Sequence, residues 1–333
     1  MNKFLGILLA GLVGLQGCSS ESAKPQSDSP ANKGVQTSDP LPKADSSKNE
    51  GTSETSQAVS EDYTPALWKL EYKGKTSYLF GSIHMGDASM YPLPEAVTKA
   101  FEGSDTLAVE IDLSNVNQME MAQKIQQIAI DPENPLETVL KEDTLSEYKE
   151  YCEVTKSPCG MFSTFEPWFA AMTLEALNMQ QSGYSEQYGI DMYFLKQARD
   201  TKAIAELETI NFQLDMLDGM PLNIQDAFLY SVVTKEGDET DKLVDAWKTG
   251  NVEAYVENSF EDAKESGINE EDYSYFMDTL LYKRNKGMAD ELAKLIEQGK
   301  SVFAVVGAAH YGGDKSVNHY LEEKGFSIER VSY

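Results

Sequence analysis

Four short apolar runs, each stopping at a residue able to do chemistry, constrain this chain more than any other feature. Residues 76–83 read as a buried strand ending at His84, and residues 106–111 as a second strand carrying Glu110 near its end. A shorter run, 202–205, leads to Glu206 and Glu208. Residues 301–306 form the clearest run and pass through Gly307 to His310, and residues 326–331 read as a closing edge strand. Between the second and third runs the spacing is helical, most plainly over 119–130, 165–181 and 190–199, and a second helical group covers about 224–297. Strands separated by long helical stretches predict an α/β protein, with a parallel or mixed central sheet flanked by helices and a large helical insertion over about 114–200.

In such sheets ligands gather beyond the carboxyl ends of the strands, so the residues that end these runs are candidates for one site. His84 and His310 share a local pattern, Gly81-Ser82-Ile83-His84 and Gly307-Ala308-Ala309-His310, with glycine permitting a turn there. Neutral imidazole is a common metal ligand, and two imidazoles with a carboxylate hold a divalent ion with positions left open. The candidate metal set is therefore His84, Glu110 and His310. Each also has an ordinary reading. A strand-end histidine is commonly a hydrogen-bonded scaffold residue. Glu110, among apolar neighbours, needs an ion pair as much as it suits a metal, because an unpaired buried carboxylate costs on the order of several kcal/mol. Asp112 stands open as its partner or as the true ligand. His319 falls in a helix over 315–324 and reads as surface, and Gly312 and Gly313 read as the turn entering that helix.

At the N-terminus Lys3 precedes an apolar run, 4–15, and Leu15-Gln16-Gly17 leads into Cys18. This pattern predicts a signal peptide over 1–17 ending in a lipobox, with Cys18 lipidated. The run is too short to cross hydrocarbon about 30 Å thick. It resembles the leaders of bacterial lipoproteins, in which Asp after the cysteine goes with retention at the inner membrane. Ser19 stands here, which implies a lipid-anchored, extracytoplasmic protein, first at the outer membrane facing the periplasm and second at the outer face of a Gram-positive membrane. Residues 18–60 are rich in Ser, Lys, Asp, Pro, Gly and Thr, too poor in large apolar groups to form a core, and read as a disordered tether. The globular domain is expected over 61–333.

Cys152 and Cys159 remain, with six residues between them. In an oxidising compartment a local disulfide is the economical reading, and a metal-binding pair is the alternative, one that lacks the second cysteine pair of a structural zinc site. A net charge of −27 argues against sequence-independent binding of nucleic acid, which needs clustered Lys and Arg to meet phosphates. It acts chiefly on solubility.

Several motifs then fall in a recognisable order. The first is Leu79-Phe80-Gly81-Ser82-Ile83-His84-Met85-Gly86-Asp87, followed by Met90-Tyr91-Pro92-Leu93-Pro94 and Val109-Glu110-Ile111-Asp112. Gly189-Ile190-Asp191 and Glu206-Leu207-Glu208-Thr209 with Gln213 occupy the middle, and Arg284-Asn285, Met288-Ala289 and Val306-Gly307-Ala308-Ala309-His310 the end. This set resembles the TraB/PrgY/GumN family, to which the Tiki metalloproteases are distantly similar. The resemblance implies a metal-dependent hydrolase, most simply a peptidase, acting on a peptide or protein substrate with Mn, Co or Zn. His84, Glu110 and His310 would form its centre, with Glu110 as third ligand or general base. Arg284 would stabilise an oxyanion or clamp a substrate carboxylate, or be an ordinary salt bridge. Asn285 would cap a helix or orient a neighbour, and Glu208 would fix an imidazole tautomer or pair as a strand-end charge. The alternative is a lipoprotein that binds peptide or haem in the same cleft without turnover.

Overall fold

The computed structural model describes residues 63–333, apart from 236, 238, 253 and 255–268. The expected signal peptide, Cys18 and the tether lie outside the described residues. Six strands form one sheet: β1 (Leu67–Tyr72), β2 (Lys75–Ser82), β3 (Thr106–Val109), β4 (Ala203–Glu206), β5 (Val302–Gly307) and β6 (Ile328–Arg330). Their order across the sheet is β4-β3-β5-β2-β1-β6. The four strands from β4 to β2 run parallel, while β1 is antiparallel to both β2 and β6, so the sheet is mixed.

The apolar runs announced every strand but β1. In β1 only Leu67 and Leu70 are buried, so no continuous run marks it. A two-residue hairpin joins it to β2, with Lys73 at φ 49° and Gly74 at φ 79°. Positive φ at both central residues gives a turn whose twist matches that of the paired strands.

The connection from β3 to β4 is helical: α2 (Gln118–Ile128), α3 (Leu136–Val139), α4 (Glu142–Thr155), α5 (Pro167–Gln181) and α6 (Ile190–Ala198) follow α1 (Glu95–Glu102) in the chain. After β4 come α7 (Ile210–Asp218), α8 (Leu222–Val233), α9 (Glu239–Lys248) and α10 (Glu270–Met277). A π-helical turn, Asp278–Tyr282, leads without a break into α11 (Lys283–Glu297), and α12 (Val317–Glu323) precedes β6. A disulfide joins Cys152 near the end of α4 to Cys159. Among the described residues no helix is long and apolar enough to cross a membrane.

Strand side chains alternate between two cores because successive residues point to opposite faces. Leu67, Phe80, Leu107, Phe303 and Val305 pack with α1, α6 and Trp247. Leu70, Leu79, Ala108, Val302, Ala304 and Val306 pack with Met288, Leu292 and Ile296 of α11 and Leu321 of α12. The first core holds an aromatic cluster in which Phe194 lies 5.8 Å from Phe80 and 4.9 Å from Phe303, centroid to centroid. A sheet covered on both faces leaves its parallel strand ends as the place where polar groups converge.

Candidate active site

His84, Glu110, Glu208 and His310 follow β2, β3, β4 and β5, and these strands are mutually parallel, so their ends lie on one side of the sheet. Gly307 marks the point of convergence. A methyl group there would sit 3.2 Å from Glu110 Oε1, 3.4 Å from the His310 ring and 3.8 Å from His84 Nε2. Glu110 Oε1 lies 3.8 Å from His310 Nε2. The glycines of the two Gly-x-x-His motifs are there for space and not for turn geometry, since neither has positive φ. A methyl group on Gly81 would lie 2.9 Å from the Ala308 Cβ, so that glycine lets the two histidine-bearing segments touch.

Each imidazole is held from behind. Asp191, in the first turn of α6, accepts from Ser82 Oγ and from His84 Nδ1, both at 2.8 Å. The Ile190 N–H donates to the Ile83 carbonyl at 3.0 Å, which fixes α6 against this loop. Asn285, in α11, donates through Nδ2 to the Lys315 carbonyl at 2.7 Å and therefore presents Oδ1 to His310 Nδ1 at 2.5 Å. A carbonyl-type oxygen only accepts, so both histidines carry a proton on Nδ1 and turn Nε2 toward the site.

Glu110 is buried and ionised. The Gly307 N–H donates to its Oε1 at 2.8 Å, while Arg284 Nη2 donates to Oε2 and Gln213 Nε2 reaches Oε2 at 3.4 Å. Arg284 also donates to Glu208, from Nε at 3.0 and 3.1 Å and from Nη2 at 2.7 Å, and its Nη1 donates to the Leu280 carbonyl of the π turn at 3.1 Å. Gln213 Nε2 bonds Glu208 at 2.8 Å. Burial alone would raise the Glu110 carboxyl, but Arg284, both imidazoles and the Gly307 N–H outweigh it and hold the group well below the usual carboxylate range.

The two imidazoles are driven apart by their settings. Burial disfavours a charged His84, yet Asp191 and, more weakly, Glu110 prevail and raise it to about 9. Burial and the Arg284 guanidinium both lower His310, to about 3.

For several residues the fold selects one of the readings that the sequence left open. Arg284 forms the salt bridge, and its Nε, Nη1 and Nη2 groups are all engaged within the protein. Asn285 does not cap a helix, because it lies inside a helix continuous with the π turn, and it orients His310 instead. Glu208 touches neither imidazole and pairs with Arg284. Asp112 faces away, accepting from Ser114 while its N–H donates to Glu206. His319 is half-buried, with its ring at the surface beside Glu323. Among the described residues no group of three or more His, Cys, Asp or Glu side chains stands ready to hold a metal ion. The donors fit one in kind: His310 Nε2, His84 Nε2 once an ion displaces the proton that Asp191 favours there, and an ionised carboxylate turn toward one point. Asp191 and Gln213 carried no role in the sequence reading. Their one signal was membership of the ordered motif set.

The chain is 28% identical to the uncharacterized protein YbaP of Escherichia coli over 252 residues, 73% of this chain and 87% of that one. It is 21% identical over 335 residues to the metalloprotease TIKI2 of Danio rerio, covering 85% of this chain and 64% of that protein. It is 22% identical over 310 residues to the metalloprotease TIKI1 of Xenopus tropicalis, covering 79% and 60%. No solved structure matches. The family model of TraB/PrgY/gumN covers residues 66–330, nearly the whole described domain, and the chain belongs to that family.

Proposed function

We propose that this protein is a metal-dependent peptidase carried outside the cytoplasm on a lipid at Cys18. The observation that carries the reading is the pair of imidazoles, each fixed through Nδ1, whose Nε2 atoms turn with Glu110 toward the space beside Gly307. Relatives named metalloproteases support it. His84 Nε2, His310 Nε2 and Glu110 would hold the ion. A divalent ion such as Mn²⁺, Co²⁺ or Zn²⁺, when bound, supplies a Lewis acid that activates water and polarises a carbonyl. The chain's own groups do the rest. Asp191 and Asn285 fix the tautomers, Arg284 keeps Glu110 ionised, and the Gly307 N–H positions its Oε1. A peptide or protein is the substrate class, met from the membrane surface.

Metal content by elemental analysis is the test, after equilibration with Mn²⁺, Co²⁺ and Zn²⁺ separately. Wild-type protein is expected to hold near one ion per chain with one of them, and the folded His84→Ala/His310→Ala variant none. Equal metal in both proteins would sink the site. Cys18→Ala should move the full chain from the membrane fraction to the soluble one, and an unchanged distribution would remove the lipid anchor.

A further inference from the structure

Gln213 touches both carboxylates that Arg284 neutralises. It lies in the first turn of α7, whose N-cap Thr209 directly follows Glu208, so its side chain turns back toward the strand ends. Nε2 bonds Glu208 Oε2 at 2.8 Å and reaches Glu110 Oε2 at 3.4 Å. Ionised carboxylates only accept, so the atom between them is the amide nitrogen, and the amide oxygen is turned the other way. That oxygen has no hydrogen-bond partner among the described residues. Only 8% of Gln213 is exposed, yet Oε1 is not sealed from solvent as Glu175 Oε2 and Asn318 Oδ1 are, so a ligand can reach it.

Every other carboxylate and amide oxygen of this network already has a donor. Glu110 accepts from the Gly307 N–H and from Arg284, and Glu208 accepts from Arg284 and Gln213. Asp191 accepts from Ser82 and His84, and Asn285 Oδ1 faces the His310 Nδ1–H. Gln213 Oε1 is the acceptor left over, and its donor must come from outside the chain. Its place along Glu110 is equally defined. The carboxylate turns Oε1 toward Gly307 and His310, and Oε2 toward Arg284 and Gln213. Gln213 therefore stands one carboxylate width away from the point where the imidazoles converge. An extended peptide rises about 3.3 Å per residue, so an acceptor displaced by that much meets the N–H of a neighbouring residue and not the scissile N–H.

We propose that Gln213 Oε1 accepts a backbone N–H of the bound peptide, on a residue flanking the scissile bond, an assignment that rests on the proposed function. Gln213 is then a specificity-determining residue. A chain with an ester in place of that amide brings an oxygen where the N–H belongs, acceptor against acceptor, and leaves a nearly buried amide oxygen without a donor. Because Nε2 is anchored on two carboxylates, the amide cannot turn over to offer its N–H instead. The site selects amide chains over ester chains by an orientation that its own charges impose.

The test uses the full chain, loaded with the ion that wild type retains, and the best-cut member of a quenched fluorogenic peptide library. In labelled analogues of that peptide the scissile carbonyl is reduced to a methylene, so that they bind uncut, and each flanking backbone amide is replaced in turn by an ester. Anisotropy gives Kd for wild type and for Gln213→Met and Gln213→Ala, with circular dichroism and elemental analysis reporting fold and metal per chain. One ester is expected to weaken binding to wild type by about tenfold and binding to a folded, metal-loaded variant by less than about twofold. Equal losses in both proteins for every ester, or no ester that weakens wild type, overturn the role of Gln213 alone. Loss of fold or metal in both variants overturns it too, by making the residue structural. Wild-type protein that binds no ion, or binds one and cleaves nothing, overturns the proposed function itself.

Discussion

The two histidines arrive on the same four-residue pattern and end in opposite states. His84 is backed by a carboxylate and raised to about 9, while His310 is backed by an amide, lies near Arg284 and is lowered to about 3. The motif supplies the imidazole and the space around it. The charge is set by helices outside the motif, α6 with Asp191, which comes 107 residues after one ring, and α11 with Arg284 and Asn285, the latter 25 residues before the other. Matching motifs at two strand ends are therefore not matching chemical units.

The largest effect should come from the His310 side. Arg284→Met leaves Glu110 and Glu208 as buried, uncompensated carboxylates, and the loss is expected to be about 3 to 5 kcal/mol in urea denaturation of the metal-free protein. A loss below about 1 kcal/mol would mean that the guanidinium does not hold this side together.

A smaller effect should come from the His84 side. Asp191→Asn removes the charged acceptor, at a cost of about 1.5 to 3 kcal/mol at neutral pH in the metal-free protein. The pH dependence separates the two sides. The folded His84 value of about 9 lies above its ordinary 6.5, so its contribution is complete below pH 6.5 and fades as pH rises through 9. His310 is lowered from 6.5 to about 3, so between those values the unfolded chain takes up a proton that the folded one refuses, and stability falls with falling pH. Glu110, also lowered, adds stability above its ordinary 4.5 that acid removes. Asp191→Asn should abolish the alkaline decline and leave the acid decline in place. Persistence of the alkaline decline would break the contrast between the rings.

The glycines give the mildest comparison. Gly81→Ala should destabilise by about 1 kcal/mol or somewhat more, because its new methyl meets Ala308 at 2.9 Å. Gly307→Ala should cost less stability and more metal affinity, since its methyl would stand among the proposed donors at 3.2 to 3.8 Å. The reverse ranking would show that these glycines do not divide the work in this way.

Much of this was legible in the sequence because it was local. The strand ends at His84, Glu110 and His310 could be read from apolar runs that stop. The α/β class followed from the long helical spacers. What escaped was pairing. His84 and Asp191 are separated by 107 residues, and Arg284 reaches back 174 residues to Glu110. No periodicity reports such a distance, so Arg284 and Glu208 kept two readings each until the fold chose between them. Asn285 misled for a related reason. Its residue type favours helix ends, and nothing local announced that the helix began well before it.

The π turn before α11 has a consequence for chain length. Buried residues recur in pairs every four positions, from Phe276-Met277 through Leu280-Leu281 and Arg284-Asn285 to Met288-Ala289 and Leu292-Ala293. Four residues of regular α-helix turn through about 400°, so such a stripe drifts by about 40° at each repeat. The wider winding of Asp278–Tyr282 slows that drift where the apolar pairs give way to Arg284 and Asn285. Deleting one residue there would rotate everything downstream by about 100° relative to α10. Either Phe276 and Met277 or Arg284 and Asn285 would then have to leave the interior. At this point the molecule is tuned by the number of residues as well as by their identity, as a gear is by its count of teeth.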